Sequence, residues 1–166
     1  MSQDFSRQAV NELTALHALR GQRLMGLDLG TKTIGIAISS SNWQISTPLC
    51  TIRRKKFTLD VSKIEQLIIE RSIKGLVFGL PLNMDASEGA RAQATRAFVR
   101  NWQNKLALAL PVAFWDERLS TQIMERELIE QMDRSRAKRA QIIDQLAAGY
   151  ILQGALDSLH QSLGQA

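Results

Sequence analysis

The stretch GLDLGTKTIGIA, residues 26–37, decides the fold that this sequence predicts. An apolar run leads into the turn GTKT, residues 30–33, and the run after it, 34–38, alternates β-branched residues with small ones. Two short apolar runs joined by a tight turn that contains glycine are typical of a β-hairpin. Asp28 therefore lies at the end of a strand that we expect to be central in a sheet.

Outside this hairpin, the pattern changes to helices that alternate with strands. Residues 44–52 predict a third strand, which Pro48 restricts to the sheet edge because proline cannot donate a ladder hydrogen bond. Apolar residues at helical spacing and short buried runs predict the remaining elements. These are helices at about 58–72, 87–105 (with Ser87 as N-cap), Ser120 or Thr121 to 132, and 137–160, and strands at 75–79 and 112–115.

The predicted order βββαβαβαα indicates an α/β fold in which helices flank a five-stranded mixed sheet. An additional helix within residues 4–20 precedes the first strand. We accordingly divide the chain into an N-terminal extension, 1–20, one domain, 21–160, and a tail, 161–166.

Composition and charge limit the class of protein. A chain of 166 residues with 45% apolar and 22% charged residues is typical of one globular domain. The net charge of +5 favours a polyanionic partner without separating nucleic acid from an acidic membrane. A single cysteine, Cys50, excludes an internal disulfide framework and a cysteine-based zinc cluster. With no signal-like first segment and no run of transmembrane length, we expect a soluble cytoplasmic protein.

Three carboxylates occupy positions where acids are unusual. Asp28 ends a predicted central strand, Glu117 follows the 112–115 strand, and Asp144 borders the apolar face of the last predicted helix. Each has an ordinary explanation, since aspartate satisfies backbone amides in turns and acids favour helix N-termini. However, the ends of parallel strands are where α/β sheets place their sites.

If the three acids converge, their charges repel, and at least one pKa must rise unless a divalent cation neutralises them. Carboxylate oxygens without nearby histidine or cysteine suit Mg²⁺ or Mn²⁺. A basic protein with such a site is a candidate phosphodiesterase.

Four motifs resemble the YqgF family: GLDLGTKTIGIA at 26–37, GLPLNMD at 79–85, DERLST at 116–121 and IIDQLAAGYIL at 142–152. The resemblance covers about 21–157. It implies a ribonuclease H-like fold and a nuclease that uses a divalent metal to trim the 5′ end of precursor 16S ribosomal RNA.

By motif position, the family's catalytic acids correspond to Asp28, Glu117 and Asp144. In the two-metal hydrolysis then expected, Asp28 bridges both ions, while Glu117 and Asp144 each hold one. Related junction resolvases carry an acid after the strand that here ends at Gly79. This chain has none before Asp85, which leaves a contribution from Asn83 or Asp85 open.

Residues expected to bind substrate surround these acids. Lys32 is placed to contact the scissile phosphate as a point charge, Asn83 lies in the second motif, and Arg118 contacts a phosphate or pairs with Asp116. Three basic groups either follow an RNA backbone or form a solvated surface. They are Arg53-Arg54-Lys55-Lys56, the cluster Arg134, Arg136, Lys138 and Arg139, and the set Arg91, Arg96 and Arg100.

Other functions remain open at this level. A Holliday-junction resolvase would use the same acids on four-way DNA and should be a two-fold dimer. A non-catalytic protein that binds RNA or the ribosome, and an ATP-binding domain based on the turn after Asp28, are further alternatives. The sequence does not choose between a monomer and a homodimer.

Overall fold

The computed structural model describes residues 13–119 and 136–164. Its strands are β1 (Arg23–Leu29), β2 (Thr33–Ser39), β3 (Ser46–Arg53), β4 (Ile73–Leu80) and β5 (Val112–Asp116). Its helices are α1 (Phe57–Glu70), α2 (Ala90–Lys105) and α3 (Arg136–Gly164), with short 3₁₀ turns at His17–Leu19 and Glu117–Leu119.

The strands form one sheet in the order β3-β2-β1-β4-β5. The first three strands are antiparallel neighbours, and β1, β4 and β5 are parallel. The predicted five-stranded mixed α/β sheet is confirmed, with β3 at one edge and β1 in the centre. The carboxyl ends of β1, β4 and β5 meet at the same edge of the sheet because these strands are parallel.

Helices cover both faces of the sheet. Residues alternate between faces along a strand, so Met25 and Leu27 of β1 pack with α1 and α2, whereas Leu24 packs with α3. Gly26 lies directly beneath α3, because a Cβ added there would be 2.7 Å from the Cβ of Leu152. By the same alternation, Asp28 points to the α3 face.

The described N-terminal residues differ from the predicted helix over 4–20. Helix is present only at residues 13–14, and a 3₁₀ turn follows at His17–Leu19, while residues 4–12 lie outside the described part. Leu13 and Leu16 are buried in the core that α3 covers. The segment therefore packs on the domain, and its assignment as a separate extension stays a prediction.

Two helix boundaries also differ. Ser87 does not cap α2, which begins at Ala90 with Gly89 in the N-cap position. The Ser87 amide and hydroxyl bind the Asp85 carboxylate instead, which holds the preceding loop. Helix α3 continues to Gly164, because apolar residues at helical spacing still reach the core at Leu159.

Two predictions fall on residues outside the described ranges. They are the helix up to residue 132 and the side chains of the basic cluster at 134–139. No helix within 13–119 or 136–164 combines the length and apolar character needed to cross a membrane.

Candidate active site

Asp28 lies near the end of the central strand, facing α3. Burial is the main cause that raises the pKa of its carboxyl, and the charge of Asp144 raises it further. The charge of Arg91 and a hydrogen bond with Glu117 act in the opposite direction. A desolvated carboxylate that faces a second acid is stabilised when a proton or a bound cation neutralises its charge.

Glu117 reaches Asp28 from the turn that follows β5. Its carboxyl passes over Gly79 of β4, where an added Cβ would lie 2.5 Å from Oε1 of Glu117, so only glycine leaves room for it. Burial, followed by the charge of Asp28 and the hydrogen bond with it, raises the pKa of Glu117 to about 7. Glu117 therefore gains or loses its proton near neutral pH, next to the carboxyl of Asp28.

Asp144 approaches from α3, on the other side of Asp28. The hydroxyl of Thr33 donates a hydrogen bond of 2.7 Å to Oδ2 of Asp144. The backbone carbonyl of Asp144 lies so close to Gly35 that a Cβ at Gly35 would collide with it. Gly35 is the cross-strand partner of Asp28, so the helix backbone rests beside the acid on β1.

The structure thus brings Asp28, Glu117 and Asp144 to one edge of the sheet. In the arrangement shown, no three acidic, histidine or cysteine side chains of the described ranges are grouped so that they could hold a metal ion. The donor chemistry nevertheless fits a hard divalent cation. A cation can replace the proton that two carboxylates share, because metal binding releases protons from its ligands.

Arg91 lies at the site, whereas the sequence placed it only in the basic set Arg91, Arg96 and Arg100. It lies in the first turn of α2, is exposed, and its charge lowers the pKa of both Asp28 and Glu117. Arg96 differs, because it pairs with Glu88 at 2.6 Å and lies over the ring of Phe114. In the sequence, the one feature that places Arg91 near the acids is its position just after the loop that follows β4.

The predicted substrate-binding residues have three different environments. Lys32 is exposed in the turn between β1 and β2. The amide of Asn83 donates to the Ser87 hydroxyl within its own loop at 3.0 Å. Arg118 pairs with Asp116 at 2.6 Å and donates to the carbonyl of Met84, so of its two expected roles the structure contains the ion pair. Substrate binding by these residues stays a prediction.

A family model described as "RuvX: Holliday junction resolvase" matches residues 22–158. A protein of Roseobacter denitrificans is 54% identical over 147 residues, which are 89% of this chain and 88% of that protein. One of Rhodobacter capsulatus is 58% identical over 143 residues, covering 86% and 87%. Both relatives are named "Putative pre-16S rRNA nuclease".

Two solved structures share the fold at low sequence identity. The RuvC of T. thermophilus in complex with a Holliday junction superposes with a TM-score of 0.54 at 12% identity, over 87% of this chain and 98% of that one. The yeast mitochondrial Holliday junction resolvase Ydc2 gives 0.53 at 10% identity, over 92% and 88%. This likeness confirms the predicted ribonuclease H-like fold.

Proposed function

Because the chain belongs to the RuvX (YqgF) family, we propose that it is a metal-dependent nuclease that processes the 5′ end of precursor 16S ribosomal RNA in the cytoplasm. The observation that carries the proposal is the convergence of Asp28, Glu117 and Asp144 at the carboxyl ends of parallel strands. The names of relatives above 50% identity supply the substrate.

Asp28, Glu117 and Asp144 are the residues that would hold Mg²⁺ or Mn²⁺. When bound, such an ion supplies charge stabilisation at the phosphoryl oxygens and a water molecule of lowered pKa. Three carboxylates at one sheet edge match the preference of both cations for oxygen ligands.

The remaining side chains bind and orient the RNA. Arg91 and Lys32 are exposed cations at the edge of the sheet that carries the acids, so both can bind a phosphate. The ion pair between Arg118 and Asp116, together with the Arg118 contact to Met84, fixes the turn in which Glu117 lies. Arg118 thereby orients Glu117.

RNA is favoured over four-way DNA by the names of the relatives. The exposed cations of the β3–α1 connection also form a short patch, which suits one strand better than a broad junction. The family description keeps the resolvase as the second candidate. A resolvase would need a symmetric dimer to cut two strands.

Asp144→Asn tests the proposal on the site itself. The asparagine oxygen can still accept the hydrogen bond from Thr33, and one repelling charge is removed. We expect cleavage of labelled precursor 16S RNA to be lost while the melting temperature in EDTA stays equal or rises.

Asp157→Asn is the matched control, because Asp157 is exposed on the same helix and accepts a hydrogen bond from Gln153. It should leave cleavage unchanged. Full activity of the wild type in excess EDTA would exclude the proposed metal chemistry. A sharp fall of the Asp144→Asn melting temperature would make Asp144 a structural acid.

A further inference from the structure

Arg54 is bound to the turn that follows Asp28. Its guanidinium Nη1 donates a hydrogen bond of 2.6 Å to the carbonyl of Gly30, and its backbone amide donates one of 2.8 Å to the carbonyl of Lys32. Both acceptors lie in the β1–β2 turn, residues 30–33. The Arg54 guanidinium is therefore hydrogen bonded to the protein backbone, whereas an arginine that binds RNA would extend into solvent.

The other side of the Arg54 guanidinium is also occupied. Its Nε lies 3.8 Å from Oδ2 of Asp60, a carboxylate that is only 2% exposed. Its Cζ lies 5.7 Å from the centre of the Phe98 ring on α2. A buried carboxylate needs a counter-charge, so the charge of Arg54 serves Asp60.

The turn that Arg54 holds connects two of the three acids. Asp28 precedes it by two residues, the amide of Gly30 donates to the carbonyl of Thr33 at 2.9 Å, and the hydroxyl of Thr33 binds Asp144. A shift of the turn would therefore change the position of Asp144 relative to Asp28.

We propose that Arg54 is a positioning residue, which fixes the 30–33 turn through the Gly30 carbonyl and so sets the placement of Asp28 and Asp144. It acts through Thr33 and does not bind RNA. Its neighbours Arg53, Lys55 and Lys56 have exposed side chains and remain available to phosphates. The inference rests on the proposed metal-dependent nuclease.

The test compares Arg54→Met with Lys63→Met. The control removes the same charge from an exposed position on α1 that has no expected role in RNA binding. Arg54→Met should lower kcat for precursor RNA and weaken Mn²⁺ binding in titration calorimetry, each by about 10- to 100-fold, as is usual for residues that orient metal ligands. KM should change little. Lys63→Met should leave kcat and Mn²⁺ binding unchanged.

A double-mutant cycle with Thr33→Val separates positioning from a general loss of structure. If Arg54 acts through Thr33, the double variant should lose far less activity than the product of the two single losses. The variant Arg54→Met with Asp60→Asn leaves no buried charge unpaired, so it serves as the folding control. It should melt close to the wild type and still bind Mn²⁺ weakly.

Multiplicative losses in the cycle, or an Arg54→Met that behaves as Lys63→Met does, would overturn the positioning role, and the proposed nuclease function would still stand. A wild type that binds Mn²⁺ but cuts no RNA or DNA would overturn the proposed function. The Arg54 role would then still be supported if Arg54→Met weakened Mn²⁺ binding.

Discussion

The hydrogen bond between Asp28 and Glu117 requires a proton, since two ionised carboxylates have no donor between them. Burial explains why the proton stays: desolvation is the largest cause that raises the pKa of each group. A divalent cation bound between the two carboxylates would hold them together in place of the proton. The pair is therefore the part of the site most sensitive to pH and to metal.

This pair makes stability without metal depend on pH. The pKa of Glu117 is about 7 in the folded chain and near its ordinary value of 4.5 when unfolded, so the folded state binds the proton more tightly. Its stabilising contribution is complete below pH 4.5 and is lost as the pH rises through about 7. The loss is on the order of 3 kcal/mol, since one pKa unit corresponds to about 1.4 kcal/mol.

Urea unfolding in EDTA at a series of pH values measures the difference between wild type and Glu117→Gln. The wild type should lose stability relative to the variant as the pH rises over that range. Glu70→Gln, at an exposed position on α1, is the control and should follow the wild type. A Glu117→Gln difference that does not vary with pH would mean that the carboxyl titrates normally.

Sequence and structure agree best for residues whose position the topology determines. Asp28 lies near the carboxyl end of one parallel strand and Glu117 directly follows another, so their convergence could be predicted from the order of elements alone. The sequence names Arg54 and Arg91 as members of basic groups, but their separate roles could not be predicted, because their partners are set by tertiary packing. The Arg54 contact with Gly30 spans 24 residues of sequence, and nothing in the basic run 53–56 separates Arg54 from its exposed neighbours.

At the scale of elements, the site depends on how closely α3 approaches the sheet. Glycines at positions 26 and 35 let the helix backbone rest on the strands. The sequence has small residues, Ala147 and Ala148, one helical turn after Asp144. It does not show that the residues facing them on β1 and β2 are the glycines at 26 and 35. The approach places the Asp144 backbone beside the cross-strand partner of Asp28.

Gly35→Ala should push α3 away from the sheet, because the new methyl group meets the Asp144 carbonyl. We expect a loss of about 1–3 kcal/mol in the free energy of unfolding, the usual cost of overpacking, together with loss of cleavage. Gly164→Ala, at the open end of the same helix, is the control and should change neither quantity. A fully active Gly35→Ala would show that the close approach does not position Asp144.

The connection between β3 and α1 carries the exposed cations expected to contact RNA. Arg54 belongs to the same basic run in the sequence, but in the structure it is bound to Gly30 and Asp60 and is not one of these exposed cations. Replacing Arg53, Lys55 and Lys56 with glutamine should weaken RNA binding. The slope of log affinity against log salt should flatten by about 2 if all three contact phosphates.

Filter binding over a range of salt concentrations measures that slope, and titration calorimetry measures Mn²⁺ binding in the same variant. Metal binding should be unchanged, because the three side chains are exposed and lie outside the acid cluster. An unchanged salt slope would mean that RNA binds elsewhere on the protein.

At the scale of the whole molecule, the fold was predictable because a hairpin followed by alternating helices and strands allows few sheet orders. The N-terminal segment and the start of α2 were not, because a buried Leu16 and a loop bonded through Asp85 and Ser87 override local helix signals. Fold and acids alone do not choose the substrate, since RNA and four-way DNA present the same phosphodiester to the same carboxylates.

The most direct test is a head-to-head measurement of single-turnover rates on labelled precursor 16S RNA and on a four-way DNA junction, with Mn²⁺ and equal protein. We expect faster cleavage of the RNA at its 5′ end, and loss of both activities in Asp144→Asn. Faster, symmetric cleavage of the DNA junction by a dimer would contradict this expectation.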